Sequence, residues 1–128
     1  MNIDNIVRMA LPQIGVRLQN ELILNVPVSS GALKISIKVK TTEEGLKITM
    51  LDYGMDVEFG TNPHVIDEDD LKDWARRELG DEDAAYFVAQ SIEKHGTRPQ
   101  PFIRPVFNNK FKQIVKEEIK KVVDKIDK

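Results

Sequence analysis

The 128-residue sequence has no cysteine. That excludes a disulfide framework, thiolate metal sites and a cysteine nucleophile, and it fits synthesis in a reducing compartment. Net charge is small: 19 Lys and Arg against 21 Asp and Glu leave a formal −2, so the chain as a whole offers nucleic acid no globally basic surface. No apolar run approaches the length that spans a bilayer, and the opening "MNIDNIVRMALP" lacks a basic stretch followed by an unbroken apolar core. The expectation is a soluble protein, intracellular at synthesis and unprocessed, with no membrane partner. Only two histidines occur, His64 after Pro63 and His95 before Gly96, and neither has a helping group in its own segment. HExxH, GxSxG and phosphate-cradling glycine patterns are missing, as are internal repeats and low-complexity linkers. These absences argue against an enzyme and imply no catalytic residue, no cofactor and no metal ligand.

What is present is one domain's length of chain, residues 1–128, with a periodicity that changes along it. Ile3, Ile6, Val7, Ala10, Leu11, Ile14, Leu18 and Leu22 recur at steps of three and four, which predicts an N-terminal helix kinked or interrupted at Pro12. In "LKISIKVK", Leu33, Ile35, Ile37 and Val39 alternate with polar residues, the period of a half-buried strand. "LKITML" repeats the pattern after a polar turn, and Met55, Val57 and Phe59 alternate a third time. Three short strands in succession predict an antiparallel meander.

Helical spacing then returns. Leu71, Trp74, Ala75 and Leu79 form one stripe behind the acidic start at Asp67 to Asp70, with Gly80 as a stop. Ala84, Phe87, Val88, Ser91 and Ile92 mark another helix, closed near His95. Phe107, Phe111, Ile114, Val115, Ile119, Val122 and Ile126 mark a long final one. The expected fold class is α+β: an N-terminal helix, a three-stranded antiparallel meander, then three helices.

Two charged stretches invite functional readings. From Asp67 to Asp83, nine acids face three bases, a local −6. A metal-dependent nuclease could use Asp67, Glu68 or Asp70, but neighbouring carboxylates fan outward on a helix and the calcium-loop spacing is missing. From Lys110 onward, seven lysines stand against four acids, an excess of +3. Such a helix could make weak, sequence-blind contact with DNA, although interleaved acids and the lack of stacking aromatics suit a solvated face equally.

The connector "GTRPQPFIRPVF" is the most constrained stretch. Gly96 lets the chain leave a helix at positive φ, and Pro99, Pro101 and Pro105 hold the next segment extended. Phe102 can then plug the core, and Pro105 suits the first residue of a helix. Arg98 and Arg104 can each grip a carboxylate in a fork; Glu58 is a candidate partner for either, within the chain or across a subunit boundary, and two simply solvated arginines are the alternative. The connector therefore reads as a structural strap.

Three segments in register resemble one family. "VPVSSGALKISI", "YGMDVEFGTNPH" and "GTRPQPFIRPVF" are similar to landmarks of the tail-component family of long-tailed bacteriophages, the neck or tail-completion proteins of virions and prophages. Ser29 and Ser30 replace an Asp-Thr pair of that pattern, and Gly54 and Val106 each replace an alanine. The resemblance implies a structural virion protein of the head-tail junction, assembled in the bacterial cytoplasm. It would form a sixfold ring with copies of itself and meet head-closure, tail-terminator or tail-tube proteins, without enzymatic activity or cofactor. The matching positions it implies for assembly are Gly31, Leu33, Tyr53, Glu58, Phe59, Gly60, Thr61, Pro101, Phe102, Arg104 and Pro105, with Arg98 beside them.

Overall fold

The computed structural model describes residues 2–27 and 31–126; Ser29 and Ser30 of the first landmark lie outside them. The order is α1 (Ile3–Asn25), α2 (Gly31–Ser36), β1 (Lys38–Thr42), β2 (Gly45–Thr49), α3 (Gly54–Phe59), α4 (Glu68–Leu79), α5 (Ala84–His95), α6 (Arg104–Asn109) and α7 (Phe111–Ile126). The fold is mixed helix and strand, mostly helical, with one two-stranded antiparallel sheet.

Helix α1 begins where the Asn2 side chain accepts the Asn5 N–H at 2.9 Å, filling one of the unpaired donors of a helix start. It buries Ala10, Ile14, Leu18 and Leu22 at steps of four. The expected interruption at Pro12 does not occur, and the helix runs through it to Asn25. Pro12 is exposed, so the carbonyl its missing N–H leaves unpaired can turn to water.

Of the three expected strands, one is helical throughout and one over its first half, Leu33 to Ser36. Leu33 and Ile37 are both fully buried while Ile35, between them, is 77% exposed. A spacing of four satisfies strand and helix alike, and Ile35 shows that the helical face is the one used. The strand proper starts later, at Lys38, and pairs with β2 from Lys38↔Thr49 to Thr42↔Gly45. The Met55–Phe59 segment forms α3, where Gly54 and Glu58 point inward while Met55 and Phe59 point outward. An apparent alternation over five residues is too short to separate the two periods.

A two-stranded hairpin is marginal alone, and this one lies on α1. A Cβ at Gly15 would stand 3.3 Å from Leu46 and 3.5 Å from Val39, so the small residue sets how closely sheet and helix approach. The Gln19 side chain also accepts the Val39 N–H at 2.8 Å. The core is one cluster of Leu18, Leu22, Val26, Leu33, Ile37, Phe102 and Val106, and a second of Ala10, Ile14 and Ile114 where α7 packs on α1.

The expected long final helix is two helices, α6 and α7, parted at Lys110. Phe107 and Phe111, four apart across that break, still meet with ring centroids 4.9 Å apart. Helix α4 starts as expected, Asp67 accepting the Asp69 N–H at 2.9 Å. On α5 the inner face is Ala85 and Ala89, and Phe87 is 71% exposed, so the expected stripe is rotated by about one position.

Candidate functional site

The three sequence landmarks meet where α3 faces the strap. Gly60 and Gly96 sit at φ +73° and +69°, in the left-handed region. A Cβ on Gly60 would lie 2.5 Å from the Thr97 carbonyl, and one on Gly96 would overlap the Thr61 carbonyl. This close approach lets Thr61 and Thr97 exchange backbone hydrogen bonds, each N–H donating to the other's carbonyl at 3.1 Å. Their hydroxyls meet at 2.9 Å. One step further along, Gln100 N–H donates to the Val57 carbonyl at 2.8 Å.

The strap then turns into α6, and Glu58 governs that turn. Its side chain is 1% exposed, yet every acceptor position is used. One carboxylate oxygen accepts the N–H groups of Phe102 (2.7 Å) and Ile103 (2.6 Å). The other accepts Arg104 N–H (3.1 Å) and Arg104 Nε–H (2.6 Å). Arg104 also donates through a terminal nitrogen to the Glu58 carbonyl at 2.8 Å. A carboxylate from α3 thus performs the role usually taken by a local N-cap, neutralising the unpaired amides at the start of α6. Burial alone would push the Glu58 carboxyl up; the amide of Ile103, the Arg104 side chain and the amides of Phe102 and Arg104 outweigh it and hold it below its ordinary value.

The open choice of arginine is decided for Arg104. Arg98 is exposed and has no ion pair among the described residues. Phe102, fully buried, joins Leu33 in the main core, while Pro101 is exposed and Pro105 occupies the first turn of α6. Phe59 is 58% exposed, with the Arg104 guanidinium 4.8 Å from its ring centroid. Tyr53 precedes α3 half-exposed, and Gly31 opens α2 facing Glu78 of α4.

The acidic stretch does not converge. Asp67 caps α4, Asp69 pairs with Lys72 at 2.7 Å, and Arg76 joins Asp73 (3.0 Å) and Glu82 (3.2 Å). Among the described residues no three His, Asp or Glu side chains gather as a metal would require. His64 Nδ1 lies 2.8 Å from the Asn62 carbonyl, within its own turn.

Two features escaped sequence reasoning. Glu118 is buried between Arg17 (2.9 Å) and Lys121 (3.0 Å); Lys121 and then Arg17 hold its carboxyl below the ordinary value against the effect of burial. Its signal was available, since Glu118 follows Ile114 by four on the apolar face. The second is a cleft of about 640 Å³ between α3, the strap and the α4–α5 pair, walled by Tyr53, Val57, Leu71, Trp74, Val88 and Ile92. Compared with protein-family models, with curated proteins and with solved structures, the chain matches none.

Proposed function

We propose that the chain is a structural subunit of the head-tail junction of a tailed bacteriophage or prophage, one that completes or joins the tail through protein contacts. One observation carries the reading. The three segments that resemble the phage tail-component family are far apart in sequence, yet they build one fixture: Leu33 in one core cluster with Phe102, Thr61 against Thr97, and Glu58 capping the strap. All acceptor capacity of the buried carboxylate goes into holding backbone and the Arg104 fork, which suits a rigid docking scaffold. Particles produced with the gene deleted test this directly. Separate full heads and free tails in electron micrographs, restored to joined particles by adding the purified chain, are the expected result. Intact virions without the chain would overturn it.

A second reading has an observation of its own. The acids Glu117 and Glu118 turn toward Arg17, leaving exposed Lys112, Lys116 and Lys120, four apart along one face of α7, with no ion pair among the described residues. That face could follow a phosphate backbone without reading sequence. DNA affinity falling steeply with salt, and abolished by Lys116→Glu with Lys120→Glu, would favour it over a purely protein-contacting role.

A further inference from the structure

The hairpin has one face on α1 and the core and one exposed face, and the exposed face carries charge of a single sign. Val39, Leu46 and Ile48 pack on the core, so the alternate positions stand on the other side: Lys38, Lys40 and Thr42 on β1, Lys47 and Thr49 on β2. All five are exposed. Lys40 lies directly opposite Lys47, and Lys38 lies diagonally from it, at roughly 7–8 Å. No acid shares this face, and none of the three lysines has an ion pair among the described residues. Glu43 borders a recess with Arg8 and Leu11 of α1, on the side of the sheet away from the lysines. Glu44 stands at the tip, beyond the last rung Thr42↔Gly45, and on the flanks Lys34 of α2 and Asp52 after β2 offset one another.

Like charges directly opposite one another destabilise a strand pair, and a two-stranded hairpin has little stability to spare. Lys40 nevertheless faces Lys47 with no acid to relieve them, in a chain whose formal net charge is −2. An unrelieved cluster of this kind suits a surface that meets an anion. The chemistry of the face narrows which anion. It has no apolar side chain, so it lacks the anchor that a protein hot spot or a membrane surface requires. It has no arginine fork to read a base edge and no aromatic ring on which an unpaired base stacks. Lysine point charges beside threonine hydroxyls suit the phosphate oxygens of a duplex, contacted without regard to sequence.

We infer that the outer face of the β1–β2 hairpin rests on the phosphate backbone of duplex nucleic acid. The surface is distinct from the lysine row of α7, and it is independent of the assembly reading, which requires no nucleic-acid contact.

Fluorescence anisotropy of a short labelled DNA duplex, titrated with the whole chain at several salt concentrations, tests the contact. Each neutralised phosphate contributes about −0.9 to the slope of log affinity against log salt, so replacing all three lysines should make that slope shallower by about 2.7 and weaken binding about tenfold or more. The variant is Lys38→Gln with Lys40→Gln and Lys47→Gln, all at exposed positions. Made in a Lys116→Glu, Lys120→Glu background, the same three changes should still flatten the slope. Lys47→Glu separates binding from a structural role: it gives Lys40 an opposite charge across the strands, so Tm should hold or rise while affinity for the duplex falls about tenfold. A wild-type chain that does not bind the duplex, or a slope that the triple variant leaves unchanged, would overturn the inference. Loss of all binding through the α7 pair alone would overturn it by assigning the contact to α7. Equal binding of polyglutamate, or of phosphatidylserine vesicles, would also overturn it, since the face would then not select a nucleic-acid backbone.

Discussion

Replacing Glu58 by glutamine isolates the charge of the strap's anchor with almost no change of shape. The amide oxygen can still accept from Phe102 and Ile103, which lie at 2.7 and 2.6 Å in the wild type. The new NH2 group, however, faces two donors, the Arg104 amide and its Nε–H. Hydrogen bonds to a charged partner contribute about 1.5–3 kcal/mol each, but the Arg104 side chain is half exposed and water can replace its partner, so that loss is closer to ~0.5–1 kcal/mol. The Arg104 amide loses its acceptor at about 1–2 kcal/mol, and the two remaining bonds weaken by about 0.5 kcal/mol each on losing their charge. Glu58→Gln should therefore destabilise the fold by about 3 kcal/mol at pH 7, lowering Tm by roughly 10 °C in a domain of this size. Urea unfolding followed by circular dichroism measures it. Because the native Glu58 carboxyl titrates below its ordinary value, its contribution is complete above the unfolded carboxylate pKa of about 4.3 and is lost as pH falls through the native one. The gap between wild type and variant should thus close in acid. A gap under about 0.5 kcal/mol at neutral pH, or one unchanged in acid, would refute the capping role.

Three other substitutions test neighbouring parts of the fixture. Gly60→Ala puts a Cβ 2.5 Å from the Thr97 carbonyl at φ +73° and should cost about 2–4 kcal/mol in urea unfolding; a neutral result would mean that the Thr61–Thr97 bridge is dispensable. Phe102→Ala removes a fully buried ring from the main core and should cost about 3–5 kcal/mol by the same measurement. Arg104→Lys keeps the charge but loses the fork that reaches both the Glu58 carboxylate and its carbonyl. A loss of about 1 kcal/mol in thermal unfolding is expected, well short of the effect of Glu58→Gln.

Long, strongly patterned elements were legible in the sequence. The α1 stripe from Ala10 to Leu22, the Asp67 cap of α4, the Gly96 exit and the Phe102 plug stand where spacing and turn chemistry place them, whereas Ile3 and Val7 of the expected stripe are exposed. Short ones were not. Leu33 and Ile37, four apart, serve a strand face and a helix face equally, and only Ile35 distinguishes them. In α3 Gly54 and Glu58 point inward, and of the expected apolar face only Val57 packs on the core while Met55 and Phe59 are exposed; the burial of Glu58 depends on donors 44 to 46 positions away, which no local pattern records. Glu118 differs: its place four after Ile114 on the apolar face was readable, and only its partners, Arg17 from the far end of the chain as well as Lys121, were not. The cleft arises from the way α4 and α5 lie beside α3, a tertiary arrangement that amphipathic stripes leave open.

A buried carboxylate fixes the proline-rich connector as firmly as the core. Amide hydrogen exchange at Phe102, Ile103 and Arg104 measures that firmness at the three donors themselves. Exchange as slow as that of Leu18 and Leu22 in α1, and lost selectively in Glu58→Gln, is the predicted result. Exchange at the rate of an unprotected loop in the wild-type protein would contradict it.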